Sequence, residues 1–166
     1  MIFQYQRTGK MVEVLNDLIK IHNDRIAGYK YALNQSTEIE SGLYNAFEEI
    51  ISDTKYYIDQ ISEKIKELNG NPLKGSTILG KIYQAWVALK VTFPGSTQKA
   101  IISACLYNEE IALHAYNAAL SSNLNMPAQV RQLIENQEHE LRRIHSLVNK
   151  YRESRHLVDH RLAYFV

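Results

Sequence analysis

The chain has 166 residues, a formal net charge of +1, 45% hydrophobic residues and 22% charged residues. This length suits a single domain with its own hydrophobic core, and the proportions are those of ordinary globular proteins. A net charge near zero gives no overall attraction to a polyanion, so we expect no nucleic-acid partner. No uninterrupted apolar stretch is as long as a membrane span or the apolar core of a signal peptide. We therefore expect no membrane partner.

Cys105 is the only cysteine of the chain. A single cysteine excludes an intramolecular disulfide, and its place in an apolar helical stripe predicts a packed thiol. These features together predict a soluble, cytoplasmic protein.

Apolar residues recur every three or four positions near the start of the chain, which predicts the first long helix. The stripe consists of Val12, Leu15, Ile19, His22, Ile26, Tyr29 and Leu33. His22 therefore occupies a core position. A short turn at residues 34–36 separates this helix from the next, so the two should pack as antiparallel neighbours.

The second predicted helix has the same rhythm and ends at Asn69-Gly70-Asn71-Pro72. A glycine after the last periodic residue, followed by a proline, is a strong stop signal. The apolar stripe consists of Leu43, Phe47, Ile50, Thr54, Tyr57, Ile58, Ile61, Ile65 and Leu68.

Residues 75–93 predict a shorter, apolar-faced helix that crosses between the second and third long helices. Its stripe consists of Ile78, Ile82, Trp86 and Leu89, and Pro94-Gly95 ends it. At about 1.5 Å per residue the segment spans roughly 27 Å, enough to carry the chain back along a bundle. The second hairpin of helices can therefore begin at the same end as the first.

The last two predicted helices carry polar residues within their apolar stripes. The third stripe consists of Ile102, Leu106, Glu109, Leu113, Tyr116 and Leu120. The fourth consists of Ile134, Glu138, Leu141, His145 and Val148. Pro127 belongs to the first turn of the fourth helix, where its missing N–H costs nothing.

These elements divide the chain into an N-terminal arm (1–9), a four-helix bundle (10–152) and a C-terminal tail (153–166). We expect the chain from Lys150 onward to fray from the last helix. The tail from Lys150 to Val166 has an apolar content that suggests binding of a partner or a second copy of the chain, from Tyr151, Leu157, Tyr164, Phe165 and Val166. Docking of the tail on its own bundle is the open alternative.

Several segments, in their linear order, carry a resemblance to a known family. They are NDLIKIHNDRIAGYKYAL, then LNGNP with GSTILGKIYQAW, then YNEEIALHAYNAAL, and a last helix with RRIHSLV. This combination resembles an uncharacterised bacterial family of ferritin-like four-helix bundles over roughly residues 10–152. The resemblance implies an all-α, ferritin-like four-helix bundle with a short crossing helix between helices two and three.

The larger ferritin-like superfamily includes di-iron oxidases and iron-storage proteins. Their sites take one Glu from each of two helices and a Glu-x-x-His motif from each of the other two. No Glu of this chain has a His three positions later. Glu110 with His114, and Glu135 with His139, are four positions apart, so each pair could chelate but neither is the di-iron motif. This departure argues against oxidase and ferroxidase activity.

Counting from the predicted turns places His22, Glu109, Glu138 and His145 near the middle of the bundle. A buried carboxylate without a partner costs several kcal/mol or has a raised pKa, so Glu109 needs a donor or a proton. Our first hypothesis is a satisfied core network, with His22, His145, Tyr29 and Tyr57 as candidate donors for Glu109. Such a network would fix the register of the helices.

The alternative is a metal site formed by Glu109, Glu138 and His145, with His22 as the next candidate ligand. Nitrogen and carboxylate ligands in a bundle interior suit zinc, iron or manganese. A third interpretation is that the fourth stripe is misassigned, with Glu138 or His145 facing solvent.

The leading functional hypothesis is therefore a non-catalytic structural or interaction protein that forms a homo-oligomer and needs no cofactor. The alternative is a metal-binding or oxidoreductase-type protein with a non-standard site. The sequence identifies no small-molecule substrate and no catalytic residue, and it leaves open whether the protein is an enzyme.

Overall fold

The computed structural model describes residues 2–35, 40–74 and 98–163. The four long helices are α1 (Ile2–Gln35), α2 (Ser41–Glu67), α3 (Gln98–Ser121) and α4 (Ala128–Ala163). Within these ranges the structure has no β-strand. The expectation of an all-α protein with four long helices is confirmed, whereas the crossing helix predicted at residues 75–93 lies outside the described residues.

Each helix packs against two neighbours: α1 against α2 and α3, and α4 against α3 and α2. Along α1 and α3, His22 faces Tyr116 and Arg25 faces Glu109, so these two helices are antiparallel. Along α2 and α4, Gly42 faces Tyr151 and Gln60 faces Gln137, so these two are also antiparallel. Helices α1 and α4 therefore point one way, and α2 and α3 point the other way. The second hairpin therefore begins at the end of the bundle where α1 ends and α2 begins. The prediction that both hairpins begin at the same end is wrong, because α1 and α3 are antiparallel.

Two apolar clusters fill the two halves of the bundle. One cluster joins the end of α1 to the starts of α2 and α3, and includes Phe47, Ile102 and Val148. The other joins the start of α1 to the end of α2, and includes Leu15 and Ile61. A layer of buried polar side chains separates them: His22, Arg25, Thr54, Glu109 and Gln137. None of the helices in the described ranges combines the length and apolarity needed to cross a bilayer.

The first and last helices extend beyond the predicted bundle. The predicted arm (1–9) is helical from Ile2, and the predicted tail (153–166) is helical as far as Ala163. No proline or glycine interrupts residues 150–163, so nothing in the sequence stops α4 there. The domain boundaries at residues 10 and 152 stay predictions.

The predicted stop after α2 is a Schellman turn. The N–H of Gly70 donates to the carbonyl of Ile65 at 2.8 Å, and the N–H of Asn69 donates to that of Lys66 at 2.9 Å. The left-handed residue is Asn69, with a φ of 58°. Gly70 is needed for a different reason, because a Cβ at this position would lie only 2.6 Å from a methyl group of Val12.

The chain beyond this turn is tied to α1 by Asn16. The side-chain amide of Asn16 donates to the carbonyl of Asn71 at 3.1 Å, and its oxygen accepts the N–H of Leu73 at 2.8 Å. The absence of a side chain at Gly70 therefore lets the segment after α2 pass close over α1.

Replacing Gly70 with alanine should lower the free energy of unfolding by about 1–3 kcal/mol, because the new methyl group displaces Val12. Gly9→Ala is the matched control, since a Cβ there meets nothing within 4 Å. Alanine is also favoured over glycine in a helix by about 0.5–1 kcal/mol, so this control should be stabilised. Urea unfolding of the two variants measures both values, and two effects of the same sign would contradict the close approach.

Candidate functional site

The buried polar layer is built around an ion pair between Arg25 of α1 and Glu109 of α3, whose side chains are 1% and 0% exposed. Nη2 of Arg25 lies 2.9 Å from each carboxylate oxygen, and Nε lies 3.0 Å from Oε1. The hydroxyl of Tyr29 donates to the same Oε1 at 2.8 Å. Because removing each charge from water costs several kcal/mol, this set of charged hydrogen bonds is what makes the burial tolerable.

The remaining nitrogen of Arg25 connects the ion pair to two further groups. Nη1 donates to Oγ1 of Thr54 at 3.0 Å and lies 3.3 Å from Nδ1 of His22. A guanidinium can only donate, so Nδ1 of His22 must be the acceptor. The ring proton of His22 is therefore on Nε2.

A series of hydrogen bonds runs from His22 through α3 and α4 to α2, and each group donates to the next. Nε2–H of His22 faces the hydroxyl oxygen of Tyr116 at 2.5 Å, and Tyr116 donates to Oε1 of Gln137 at 2.5 Å. The amide of Gln137 then donates to Oε1 of Gln60 at 3.0 Å and to the carbonyl of Tyr57 at 3.3 Å. A chain of oriented donors thus starts at Arg25 and links all four helices.

Apart from the ion pair, these buried groups are neutral near pH 7. Burial, and then the charge of Arg25, lower the pKa of His22 well below its ordinary value. Burial, the largest single effect, lowers the pKa of Arg25, but the Glu109 carboxylate together with Tyr29 and Tyr116 leaves this pKa raised. Burial also raises the pKa of the Tyr29 and Tyr116 hydroxyls. The layer therefore carries one positive and one negative charge.

Two of the four predicted site residues belong to this layer. Glu109 and His22 are both 0% exposed, so their predicted interior positions are confirmed. Of the predicted donors, Tyr29 contacts Glu109 directly, and His22 contacts it only through Arg25. Tyr57 contributes its carbonyl group to the layer.

The structure does not bring Glu138 and His145 into the layer, and the predicted inward orientation of His145 is wrong. The side chain of His145 is 31% exposed, with Nε2 3.8 Å from Oε1 of Glu110 on the outer side of α3. Oε1 of Glu138 lies 2.5 Å from Nη2 of Arg142, outside hydrogen-bond geometry. Glu138 is 13% exposed, with Oε1 buried beside Arg142 of its own helix. His145 lies at the outer seam between α3 and α4.

The interior positions on α4 belong to the preceding residues, Gln137 and Ile144, which are 2% and 1% exposed. Residues three and four positions from a buried residue lie on the same helix face, so the periodic pattern permits either assignment. Ile144 gains more from burial than a histidine does. The neutral amide of Gln137 is satisfied by its hydrogen bonds, whereas a carboxylate there would need a second cation.

Sequence reasoning missed Arg25, the residue on which the layer depends. A signal for it was present, because Arg25 lies three positions after His22 and four before Tyr29, on the same helix face. The buried Glu109 does need donors, as the sequence predicts. They are the hydroxyl of Tyr29, which was expected, and the guanidinium of Arg25, which was not.

Two solved structures share the fold over most of their length. One is a mutant of Dps1 from Mycobacterium smegmatis, with a TM-score of 0.73 and 16% identity, covering 89% of this chain and 97% of that chain. The other is titled as ferritin-like, diiron-carboxylate proteins from Bacillus anthracis, with a TM-score of 0.70, 17% identity and coverages of 88% and 97%. The protein is thus a ferritin-like four-helix bundle.

Residues 10–122 match the family model described as Domain of unknown function (DUF2383), and the chain belongs to this family. No curated protein matches the chain. The expected resemblance to an uncharacterised ferritin-like family is confirmed.

The residues of the buried layer do not fit a di-iron centre. Such a centre takes carboxylates from all four helices and two imidazoles, whereas this layer holds one carboxylate that already accepts hydrogen bonds from a permanent cation. Nδ1 of His22 accepts from the same cation and Nε2 carries the proton, so the ring has no lone pair to offer. Among the side chains that the structure describes, those of residues 8–34, 40–74 and 98–154, no three His, Cys, Asp or Glu residues are placed to hold a metal ion.

Removing one partner of the ion pair should be costly. We expect Arg25→Met and Glu109→Gln each to lower the free energy of unfolding by about 3–5 kcal/mol, because each leaves a buried charge without its partner. The double variant leaves no unpaired charge and should cost less than the sum of the two. Urea unfolding of the four proteins gives the coupling energy.

Arg131→Met is the control for this cycle, because Arg131 and Glu135 form an exposed pair, 41% and 45% accessible. Loss of such a pair should cost less than about 1 kcal/mol. Additive costs for Arg25→Met and Glu109→Gln would contradict the central role of the ion pair.

His22 should make the fold less stable in acid. Its pKa in the folded state lies below the ordinary value of 6.5, so the unfolded chain binds the proton first as the pH falls. Stability is therefore lost below about pH 6.5 at up to about 1.4 kcal/mol per pH unit. Asp24 acts in the opposite direction, because burial raises its pKa to about 6 and its protonation favours the folded state in acid.

Comparing wild type with His22→Gln between pH 7 and pH 5 isolates the histidine from the opposing carboxylate. The wild type should lose stability relative to the variant as the pH falls, measured by urea unfolding at each pH. The exposed His139 supplies the control, since His139→Gln should follow the wild type. A constant difference between wild type and His22→Gln would mean that His22 is protonated equally in the folded and unfolded chains.

Proposed function

We propose that this protein is a non-catalytic structural or interaction protein of the ferritin-like fold, whose bundle interior serves packing. The observation that carries the proposal is the buried pair of Arg25 and Glu109 at mid-bundle. A guanidinium fixed to the chain neutralises the one buried carboxylate of the layer, and no bound cation is needed for that purpose.

The satisfied state of the layer supports a non-catalytic role. A general base or a nucleophile needs a free lone pair within reach of a substrate. The lone pair of His22 accepts from Arg25, and the carboxylate of Glu109 accepts from Arg25 and Tyr29. His22, Arg25, Glu109 and Tyr116 are at most 1% exposed, so a substrate has no access to them.

The layer also supports a role in defining the helix arrangement. Sliding one helix by a single turn moves its groups by about 5.4 Å, which is far beyond hydrogen-bond distance. Apolar contacts tolerate such a slide better than a buried ion pair, which would lose its partner. The layer therefore favours one register of α1 against α3 and rejects the others.

We further propose that the protein interacts with copies of itself. Four large apolar or aromatic side chains are exposed in the described part of the chain: Tyr44, Tyr56, Tyr107 and Ile111. Tyr107 and Ile111 lie one turn apart on the outward face of α3, which carries few charges. Exposed apolar surface of this kind favours association.

The alternative is a metal-binding or oxidoreductase-type protein that uses Glu109, and metal analysis separates it from our proposal. We expect protein purified without chelator to contain the same iron, zinc and manganese as the double variant Arg25→Met/Glu109→Gln, measured by mass spectrometry. This variant removes the carboxylate without leaving an unpaired guanidinium. We also expect added Fe²⁺ to consume oxygen no faster with the protein than without it.

Stoichiometric metal in the wild type that disappears in the double variant would establish the metal-binding alternative. Circular dichroism of the double variant is the control that checks whether it is folded. Light scattering of the same samples gives the oligomeric state, and a monomer would remove self-association from the proposal.

A further inference from the structure

A groove outside the buried layer collects the metal-ligand side chains that the interior does not use. It lies between the outer edges of α3 and α4, with a cavity of about 560 Å³ that opens to solvent. Glu110 and His114 of α3 line one wall, and Arg142 and His145 of α4 line the other. Two imidazoles and one carboxylate therefore share a single concave surface.

We propose that Glu110, His114 and His145 bind a divalent transition-metal ion in this groove, with zinc as the best match. Two imidazole nitrogens and one carboxylate oxygen are a ligand set that zinc accepts, and a water molecule can complete four-coordination. The nitrogens favour a transition metal over Ca²⁺ or Mg²⁺, which prefer oxygen ligands.

The distance between two of the three ligands is close to what an ion requires. Nε2 of His145 lies 3.8 Å from Oε1 of Glu110. Neighbouring ligands in a tetrahedral zinc site, with bonds of about 2.0–2.2 Å, are about 3.4 Å apart. The two atoms therefore need to approach by only about 0.4 Å, which rotation of two partly exposed side chains, 31% and 62% accessible, allows.

The third ligand, His114, is one turn after Glu110 on the same face of α3. In the described part of the chain, no three such side chains already surround one point. The site therefore closes when the ion draws in the imidazole of His114, which is exposed and free to change rotamer.

The one permanent cation of the groove does not oppose a metal ion. Nη2 of Arg142 is 2.5 Å from Oε1 of Glu138 and 3.4 Å from Oδ1 of Asn117. The carboxylate of Glu138 compensates the charge of Arg142, and the carboxylate of Glu110 remains for the ion. This charge distribution favours a cation over an anion in the groove.

The groove site is independent of the proposed function of the interior. Glu109 and Glu110 are adjacent on a helix, so their side chains point about 100° apart and serve different surfaces. Metal that persists in Arg25→Met/Glu109→Gln and disappears in His145→Ala belongs to the groove. Either proposal can therefore fail while the other stands.

The test is a Zn²⁺ titration of the full-length chain carrying His156→Ala and His160→Ala. These changes remove the one pair of histidines in the sequence with a spacing of four residues, which could bind Zn²⁺ by itself. We expect calorimetry to show one ion per chain, and Co²⁺ to give the intense visible bands of a tetrahedral site. In this background, His114→Ala, His145→Ala and Glu110→Gln should each weaken Zn²⁺ binding by at least tenfold.

His139→Ala is the matched control, because Glu135 and His139 have the same spacing of four on α4 but do not line the groove. Its affinity for Zn²⁺ should be unchanged. Thermal unfolding is the control that checks whether each variant is folded. If His145→Ala is not folded, His145→Gln takes its place. Binding that His145 variants leave unchanged, or that His139→Ala weakens equally, would overturn the proposal.

Discussion

The structure depends on two opposite charges that are held in the middle of a four-helix bundle without contact with water. Removing a guanidinium and a carboxylate from solvent costs several kcal/mol for each ion, and only close pairing with further hydrogen bonds offsets that cost. Arg25 and Glu109 meet this requirement because Tyr29 donates a further hydrogen bond to the carboxylate, and Thr54 accepts from Nη1, the nitrogen of Arg25 that the pair leaves free. The positions of α1 and α3 relative to each other follow from this one contact.

The ion pair also sets the direction of the hydrogen bonds beyond it. Since a guanidinium has no acceptor, it fixes the tautomer of His22, which in turn determines how Tyr116 and Gln137 are oriented. The side-chain amide of Gln137, the last donor in this series of hydrogen bonds, reaches Gln60 of α2. One cation therefore orients polar groups on all four helices. Apolar clusters above and below the layer supply burial, while the layer limits which arrangement of the helices can satisfy every buried polar group.

The same fold carries different sites because a site depends on particular side chains. This chain shares its fold with Dps1 from Mycobacterium smegmatis and with ferritin-like, diiron-carboxylate proteins from Bacillus anthracis. Its own interior places a positive charge beside the buried carboxylate, where a metal-binding interior needs several unpaired carboxylates and imidazoles. Side chains with available lone pairs, His114, His145 and Glu110, lie on the outside of α3 and α4. The side chains of this bundle that could bind a ligand therefore lie on its surface and not in its core.

The amino-acid pattern was sufficient to predict the number of long helices, the antiparallel hairpins, the stop after α2 and the interior positions of His22 and Glu109. These features depend on local periodicity and on turn residues, which need no knowledge of the neighbouring helices. The packing of the helices against each other selects Gln137 for the buried polar layer and Ile144 for the core, in place of the expected Glu138 and His145. Spacings of three and four are equivalent within one helix, and the choice between them depends on what the neighbouring helix presents. The partner of Glu109 was decided in the same way, because Arg25 is an ordinary charged residue until α3 places a carboxylate opposite it.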